Sequence, residues 1–598
     1  TKHSKYAIIL NNLVFLYYRT GDFMKSFEYL SLALDITNKN IKQNFDFLTE
    51  RGKSSFFRTI SSRFDLFHSL FFTSFPEYLS ESSTLYNIEL LTKNLVVRSS
   101  LEVRNAINNN GDTDVINSLA KLSVIKKGLA NIYSHPKDKY PNDVNLLEEQ
   151  ADSLDKQLLN QSQEYRHEHE QSQLDWKTVQ QKLKQNEVAV EFISFPYLSK
   201  HGWTDSVMYS ALVLRPGYDQ PKYVYLFVEK QLSSILKNDK GVLDQAYINQ
   251  LYQQRESSNP LYQLIWHPLD SLLQGVTTVY ASPTGLLHKI ALGAIPVTDS
   301  STVSSKYTLQ IVGTTADIIN KKEDFIDKKS VQQALLFGGI NYDIASSKPV
   351  DFISSSTNNI YAFVPADSSR GATGKWNYLS GAFTEATEIA RQFNEQKITT
   401  HFYSDSTATE TLFKNMPVNT SSVIHIATHG YFFPDIVRKK DDGLQLIDDK
   451  KQTAFRVSEN PLLRSGLIFA GANPSWTNPD YVSTATDDGI LTAYEISNMD
   501  LSNVKLVVLS ACETGLGDIK GSEGVFGLQR SFKLAGVKNI IMSLWKVPDE
   551  KTRELMQRFY QFCFSGKSIS EAFNSAQNVM RNKYPDSPYY WAGFTLLQ

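Results

Sequence analysis

Two short stretches hold side chains able to do covalent chemistry. "HIATHG" sets His429 and Gly430 directly after the apolar run 422–427, and "LSACETG" sets Cys512 directly after the run 504–510. A thiol is nucleophilic only as thiolate, so it needs a base or a positive partner within hydrogen-bond reach, a role His429 can fill. Attack on a carbonyl then builds an oxyanion that needs backbone donors. Gly430 has no Cβ and lets its N–H come close, beside the N–H of Cys512. The implied chemistry is acyl transfer. The residues stand 83 positions apart (512 − 429 = 83), so the fold has to bring them together. By residue type alone, a cysteine at a strand end is more often packing than chemistry. The chain's other cysteine, Cys563 between Phe562 and Phe564, reads as packing on an amphipathic helix.

The elements that must position this pair are legible as periodicity. "SVIHIA" (422–427), "GLIFAG" (466–471), "VKLVVLS" (504–510) and "KNIIMSLW" (538–545) are continuous apolar runs of strand length, as in parallel strands buried on both faces. In one parallel sheet their carboxyl ends share an edge, where open α/β sheets place their ligands. "EGVFGLQRSFKLAG" and "DEKTRELMQRFYQFCFSG" read as amphipathic helices ended by Gly, the first spanning 523–535 with its positive end toward the cysteine loop. By the period of two, His425 faces away from its neighbours and reads as core. The polar stretch 438–453 reads as a long loop, and Thr384 as a cap for a helix with Ala386, Ile389 and Ala390 facing inward.

Upstream, the pattern changes at Glu187. "VAVEFI", "VMYSALVL" and "YVYLFV" read as strands opening a mixed α/β region that continues through "TTVYASP" and "ALLFGGI". Before it, residues 41–185 keep helical spacing. His167 and His169 sit two apart in that region and do not share a helical face, so they read as solvated rather than metal-binding. Residues 7–40 place Leu10, Leu13, Tyr17, Gly21, Phe23, Leu30 and Ala33 as helix, Gly-containing turn and helix, which resembles one tetratricopeptide repeat. One repeat cannot bury its own face, so either further repeats precede it or the following helices cap it.

Composition narrows the function classes. A chain of 598 residues with 41% hydrophobic content exceeds one core. Lys plus Arg (61) nearly balance Asp plus Glu (63), which gives no overall basic field for nucleic acid. No apolar run reaches the roughly 18–20 residues of a membrane span, and the N-terminus lacks a signal-peptide pattern, so a cytoplasmic protein is expected. No Walker-type loop or zinc spacing is present, and no cofactor or metal is expected.

"VIHIATHGYFF", "NPLLRSGLIFAGAN", the block from "DDGILTAYEIS" through "LSACETGLGDIKGSEGVFGLQRSFKLAGVKNIIMSLWKVPDE", and the closing "YYWAGFTLL" resemble the CHAT family. These are caspase-like peptidase domains commonly joined to tetratricopeptide repeats and distantly akin to caspases and separase. The resemblance spans residues 187–598 and is densest over 421–547. It implies an α/β caspase-like fold, a parallel-rich sheet flanked by helices, behind a helical domain. The implied organisation is a repeat at 1–40, helices at 41–185, a catalytically empty half at 186–400 and a catalytic half at 401–598. It implies Cys512 as nucleophile, His429 as general base, and Gly430 with Cys512 as oxyanion donors. Asp487 and Asp488, and less directly Glu523, become candidates for an S1 pocket selecting Arg or Lys, with turn residues as the alternative; Glu513 and Asp518 can orient the cysteine loop. A protein substrate, a regulatory partner on the helical region and a prokaryotic defence or cell-death setting are further implications. An inert scaffold and an acyl-transfer ligase are the competing readings.

Overall fold

The computed structural model describes residues 4–45, 48–74, 77–110, 113–133, 140–141, 143–167, 174–237, 244–253, 259–298, 301–321, 323–343, 374–416, 418, 420–434, 458, 460–478, 487–511, 514–515, 517–519 and 524–598. Eight helices come first: α1 (Ser4–Thr20), α2 (Phe23–Asn44), α3 (Glu50–Ser74), α4 (Ser82–Thr92), α5 (Leu95–Asn110), α6 (Thr113–Tyr133), α7 (Val144–His167) and α8 (Trp176–Lys182). Gly21 turns α1 into α2 at φ +81°, and the Asp22 carboxylate caps α2 by accepting from the Lys25 N–H at 3.1 Å. The buried stripe of α1 is Leu10, Val14 and Tyr18. Leu13 and Tyr17 are half-buried, and Tyr17 stacks on Tyr29. The helical spacing is as expected, and α3 and the sheet together with α2 decide which side is covered. Phe67, Leu70 and Phe71 of α3 join Leu30 in one core with Ala189, Ile193 and Leu212 of the sheet. The following helices therefore cap the α1–α2 hairpin on that side. No helix among the described residues is long and apolar enough to cross a membrane. His169 and the side chain of His167 lie outside the described residues, as does the loop 438–453.

The strands are β1 (Glu187–Ser199), β2 (Gly202–Leu214), β3 (Lys222–Val228), β4 (Thr278–Ser282), β5 (Pro296–Thr298), β6 (Ser301–Thr302), β7 (Thr308–Ile311), β8 (Gln333–Ile340), β9 (Thr399–Asp405), β10 (Ser422–Ala427), β11 (Gly430–Phe432), β12 (Ser465–Ile468), β13 (Ile490–Thr492), β14 (Val504–Ser510), β15 (Asp518–Ile519), β16 (Val525–Phe526), β17 (Asn539–Ser543) and β18 (Phe594–Leu597). Eleven form one sheet in the order β3-β2-β1-β4-β7-β18-β17-β14-β10-β8-β9. Neighbours from β1 to β18 are parallel, and so are those from β17 to β9; β17 and β18 meet antiparallel. The strand ends of β1 and β4 therefore leave at the opposite sheet edge from those of β10 and β14. Helices cover both faces. Residues 380–395, 549–564 and 569–583 pack on one face, while the other is covered by 528–534 beside β14 and by α3 and α4 beside β1.

The sheet runs without a break from residues before 400 to residues after it, since β8 pairs with β10 and places 333–340 beside the strands that follow. Three other elements differ from expectation. The run 466–471 contributes β12 to a separate antiparallel sheet, β11-β12-β13. An apolar run signals burial on both faces, and a strand in a small covered sheet meets that condition as well as a central parallel strand does. The helix after the cysteine loop starts at Leu528 rather than Glu523, because Val525 and Phe526 pair as β16. Thr384 lies inside the helix Ser380–Glu395, donating back to Ser380 O at 3.5 Å, and does not cap it.

One buried ion cluster joins the helices to the sheet at β1 and β4. Lys93, at the end of α4, donates to Glu191 Oε2 (2.7 Å), Phe192 O (2.6 Å), Ser282 Oγ (2.9 Å) and Ser282 O (3.1 Å). Glu191 accepts in turn from the Thr315 N–H at 2.6 Å and the Thr315 hydroxyl at 2.7 Å. Lys93 is 3% exposed and Glu191 not at all, so neither charge has water to fall back on. Lys93→Ala is expected to lower stability by about 3–5 kcal/mol, because it strands a buried carboxylate. The double variant Lys93→Met with Glu191→Gln should recover most of that loss in urea unfolding; an unchanged midpoint for the single variant would show that the pair contributes nothing.

Candidate functional site

The site is built where β10 and β14 end. The two strands are parallel neighbours with Ala427 opposite Ser510, so the chain leaves both at points one strand spacing apart, about 4.8 Å. His429 and Cys512 each follow two residues after that aligned pair. Cys512, Glu513 and Glu523 lie outside the described residues, but the positions flanking the cysteine are anchored. Ala511 O accepts from the Ser543 hydroxyl at 2.5 Å, Thr514 Oγ1 from the Ser543 N–H at 3.2 Å, and Ser543 O from the Gly515 N–H at 2.8 Å. The end of β17 thereby holds both sides of the cysteine loop. A Cβ on Gly515 would sit 3.0 Å from Ser543 O, which explains glycine at this close approach.

His429 is 5% exposed. Its Nε2 lies 2.8 Å from Asn377 O, and a carbonyl only accepts, so Nε2 carries the proton and Nδ1 is left with the lone pair. Tyr342 and Trp376 flank the ring with centroids at 5.1 and 5.0 Å. Burial pushes the imidazole down to about 4; the Asn377 bond opposes this, and the Lys546 charge adds to it. Gly430 opens β11 opposite Leu467, and Ile468 N–H donates to His429 O at 3.0 Å, so the small sheet fixes the backbone on both sides of His429.

Four carboxylates gather nearby around one ammonium. Lys414 reaches Asp487 at 2.5 Å and both Glu410 and Glu495 at 2.9 Å, and Asp487 also accepts from the Thr411 hydroxyl at 2.5 Å. Asp488 bonds the Ile490 N–H at 2.9 Å, and burial together with the Glu495 charge raises its carboxyl well above the usual range. Lys414 thus already faces Asp487, and any cation from a substrate would compete with it. Asp518 pairs with the buried Arg464, whose Nε donates to Phe433 O at 3.2 Å; this joins the segment after the cysteine to the strand after the histidine. His425 is fully buried, bonded to Glu385 at 2.9 Å and to the Tyr560 hydroxyl at 3.3 Å. Cys563 is buried in the core, which pushes its thiol up.

Several of these groups went unread in the sequence. Asn377 acts through its carbonyl, and a backbone group leaves no mark on residue type. Glu410, Lys414 and Glu495 show only the spacing of an ordinary amphipathic surface. Asn473 ends the recognisable "FAGAN" block, yet nothing in its spacing assigns it a contact.

With this geometry in view, the CHAT domain model matches residues 255–598, more than half of the chain, and the chain belongs to the CHAT domain family. Among curated proteins, a stretch of 109 residues is 33% identical to human Tetratricopeptide repeat protein 28; it covers 18% of this chain and 4% of that protein. The chain thus spans a small fraction of its relative's length. That relative is human and gives no support to a prokaryotic setting. Similar solved structures include the Arg-specific cysteine proteinase gingipain R (TM-score 0.32, 11% identity, 59% of this chain and 73% of that one). Another is the Saccharomyces cerevisiae separase–securin complex (TM-score 0.37, 11% identity, 99% of this chain and 47% of that one).

The state of His429 has a consequence for stability against pH. Its folded value of about 4 lies below the ordinary 6.5, so between those values the unfolded chain binds more protons than the folded one. Stability therefore falls as pH drops through this window, on the order of 2–3 kcal/mol between pH 7 and 4.5. Urea unfolding of His429→Gln at the two pH values should show that much less acid sensitivity than wild type. Equal slopes would mean the ring is not buried neutral.

Proposed function

We propose that the protein is a cysteine endopeptidase of the CHAT type, with Cys512 as nucleophile, His429 as general base, and the N–H groups of Gly430 and Cys512 as oxyanion donors. The observation that carries this reading is the His429 tautomer. With Nε2–H given to Asn377 O, the lone pair of Nδ1 is the one available to take a proton, at the sheet edge where the cysteine loop begins. In the reaction, Nδ1 takes the thiol proton as Sγ bonds to the scissile carbon, and the negative charge collects on the carbonyl oxygen. Collapse breaks the C–N bond, and the amine leaves with the proton from Nδ1. Water, deprotonated by the same nitrogen, then attacks the thioester, and the acid product and free thiol are released.

The described arrangement supports a resting state. An ordinary thiol near 8.5 would pass its proton to a ring near 4 at a cost of about 6 kcal/mol. Activation then consists of raising the basicity of His429, by admitting water or by pairing the ring with the thiolate. The contacts of Arg104 support control from the helical region. Arg104 of α5 donates to Met499 O (2.6 Å), Leu534 O (2.7 Å) and Ser497 O (3.1 Å), at the ends of the 493–497 and 528–534 helices that flank the site. A partner docked on the helices, a protein substrate and a cytoplasmic setting complete this reading. The covered base also favours a second one, a scaffold whose peptidase site stays shut.

Incubating wild type and Cys512→Ala with a proteome-derived peptide library, alone and with a protein that binds the helical region, and reading new termini by mass spectrometry tests the peptidase reading. The peptidase reading expects cuts with wild type only. If Asp487 and Asp488 select the P1 residue, cuts follow Arg or Lys, and Asp487→Asn lowers kcat/KM for them about 10–100-fold. Cuts after apolar residues would remove both carboxylates from that role. Equal cutting by Cys512→Ala would sink the mechanism.

A further inference from the structure

We infer that Asn473 is the positioning residue for the His429 base, holding with one side chain and one backbone N–H both peptide segments whose rings enclose the imidazole. The inference rests on His429 acting as the base.

Asn473 is the second residue of the short helix Ala472–Thr477, which opens after Gly471 at φ +79°. It is 1% exposed. Its backbone N–H donates to Tyr342 O at 2.8 Å. Its Oδ1 accepts from the Trp376 N–H at 2.8 Å, and its Nδ2 donates to Trp376 O at 3.1 Å and to Asp343 Oδ1 at 3.2 Å. The amide thus engages both main-chain groups of Trp376 as a neighbouring strand would. One donor and two acceptors face it, which also fixes its orientation.

The two segments it joins are those that flank the base. Tyr342 and Trp376 lie on either side of His429, and the Tyr342 hydroxyl is 3.0 Å from Thr428 Oγ1, beside the histidine. Three residues beyond Asn473, Trp476 packs on the Trp376 ring at 4.9 Å, so one turn of helix holds Trp376 by backbone and by ring. The next residue, Asn377, supplies the carbonyl that accepts from Nε2, yet Asn377 itself is exposed. Its carbonyl is aimed through the peptide that Asn473 grips. Aspartate cannot replace this amide, because it would set acceptors against Trp376 O and the Asp343 carboxylate. Alanine leaves the Trp376 peptide without these bonds.

The test reads the imidazole directly and needs no turnover. In the 598-residue chain carrying ring-¹⁵N histidine, with the His429 signal assigned by its loss in His429→Gln, wild type is expected to show the Nε2–H tautomer and a titration midpoint well below 6.5. Asn473→Ala and Asn473→Asp are expected to mix the tautomers and move the midpoint toward 6.5, as the cover opens and water reaches the ring. Where wild type cuts peptides, kcat falls about 100-fold with KM little changed. Should both variants fail to fold, Asp343→Ala removes one exposed acceptor of the same amide and is expected to move the signal less, in the same direction. An unchanged tautomer and midpoint in variants that fold overturns the inference. A shifted imidazole in a chain that cuts nothing bears out the hold of Asn473 on the ring, and the peptidase reading then stands or falls on the cutting experiment with an activating partner.

Discussion

The parallel pairing of β10 with β14, Ala427 opposite Ser510, is the constraint on which the rest of the site depends. Strand side chains alternate between faces, so a slip of one residue would turn His425 from its Glu385 partner and send Val507 and Leu509 from one core to the other. The two faces of β10 carry different partners, a buried histidine–glutamate pair on one side and apolar packing on the other, and this pins the register. Once it is pinned, the points where the chain leaves the two strands cannot drift apart. Everything specific to the site is then arranged around two exits one strand spacing wide.

What surrounds those exits comes from distant segments. Ser543 of β17 holds the residues flanking the cysteine, Arg464 ties Asp518 to the segment after β11, and Tyr342 and Trp376 close over the imidazole. These contacts burden the imidazole as well as positioning it. A ring shut between two aromatic side chains loses hydration and with it basicity, so the geometry that sets the tautomer also holds the ring neutral. Under the peptidase reading proposed above, position and reactivity are opposed here.

The helical region enters through charge as well as apolar area. Lys93 reaches the middle of β1 and the end of β4, while Arg104 reaches the carbonyl ends of two helices beside β14. Because the sheet reverses between β18 and β17, these contacts touch both halves although the halves open at opposite edges. Buried charges of this kind tolerate little displacement, since each lost bond leaves a polar group without water. The α4–α5 segment therefore links the helices to both halves of the sheet.

Residue order by itself determined the strands at 188–193, 207–214, 223–228, 422–427 and 504–510, the helical character of the first 185 residues, and the pairing of a histidine block with a cysteine block. Those are local properties: periodicity reports which side of an element is covered, and a motif reports which atoms could react. Only the tertiary structure decided that 466–468 joins a small antiparallel sheet, that Val14 and Tyr18 rather than Leu13 and Tyr17 face the helical core, and that Asp487 faces Lys414. It also decided that a carbonyl at 377 selects the histidine tautomer and that an asparagine at 473 holds it there. Neither is readable from spacing, because a backbone oxygen is common to every residue type and a buried amide takes its meaning from the groups that the fold brings against it.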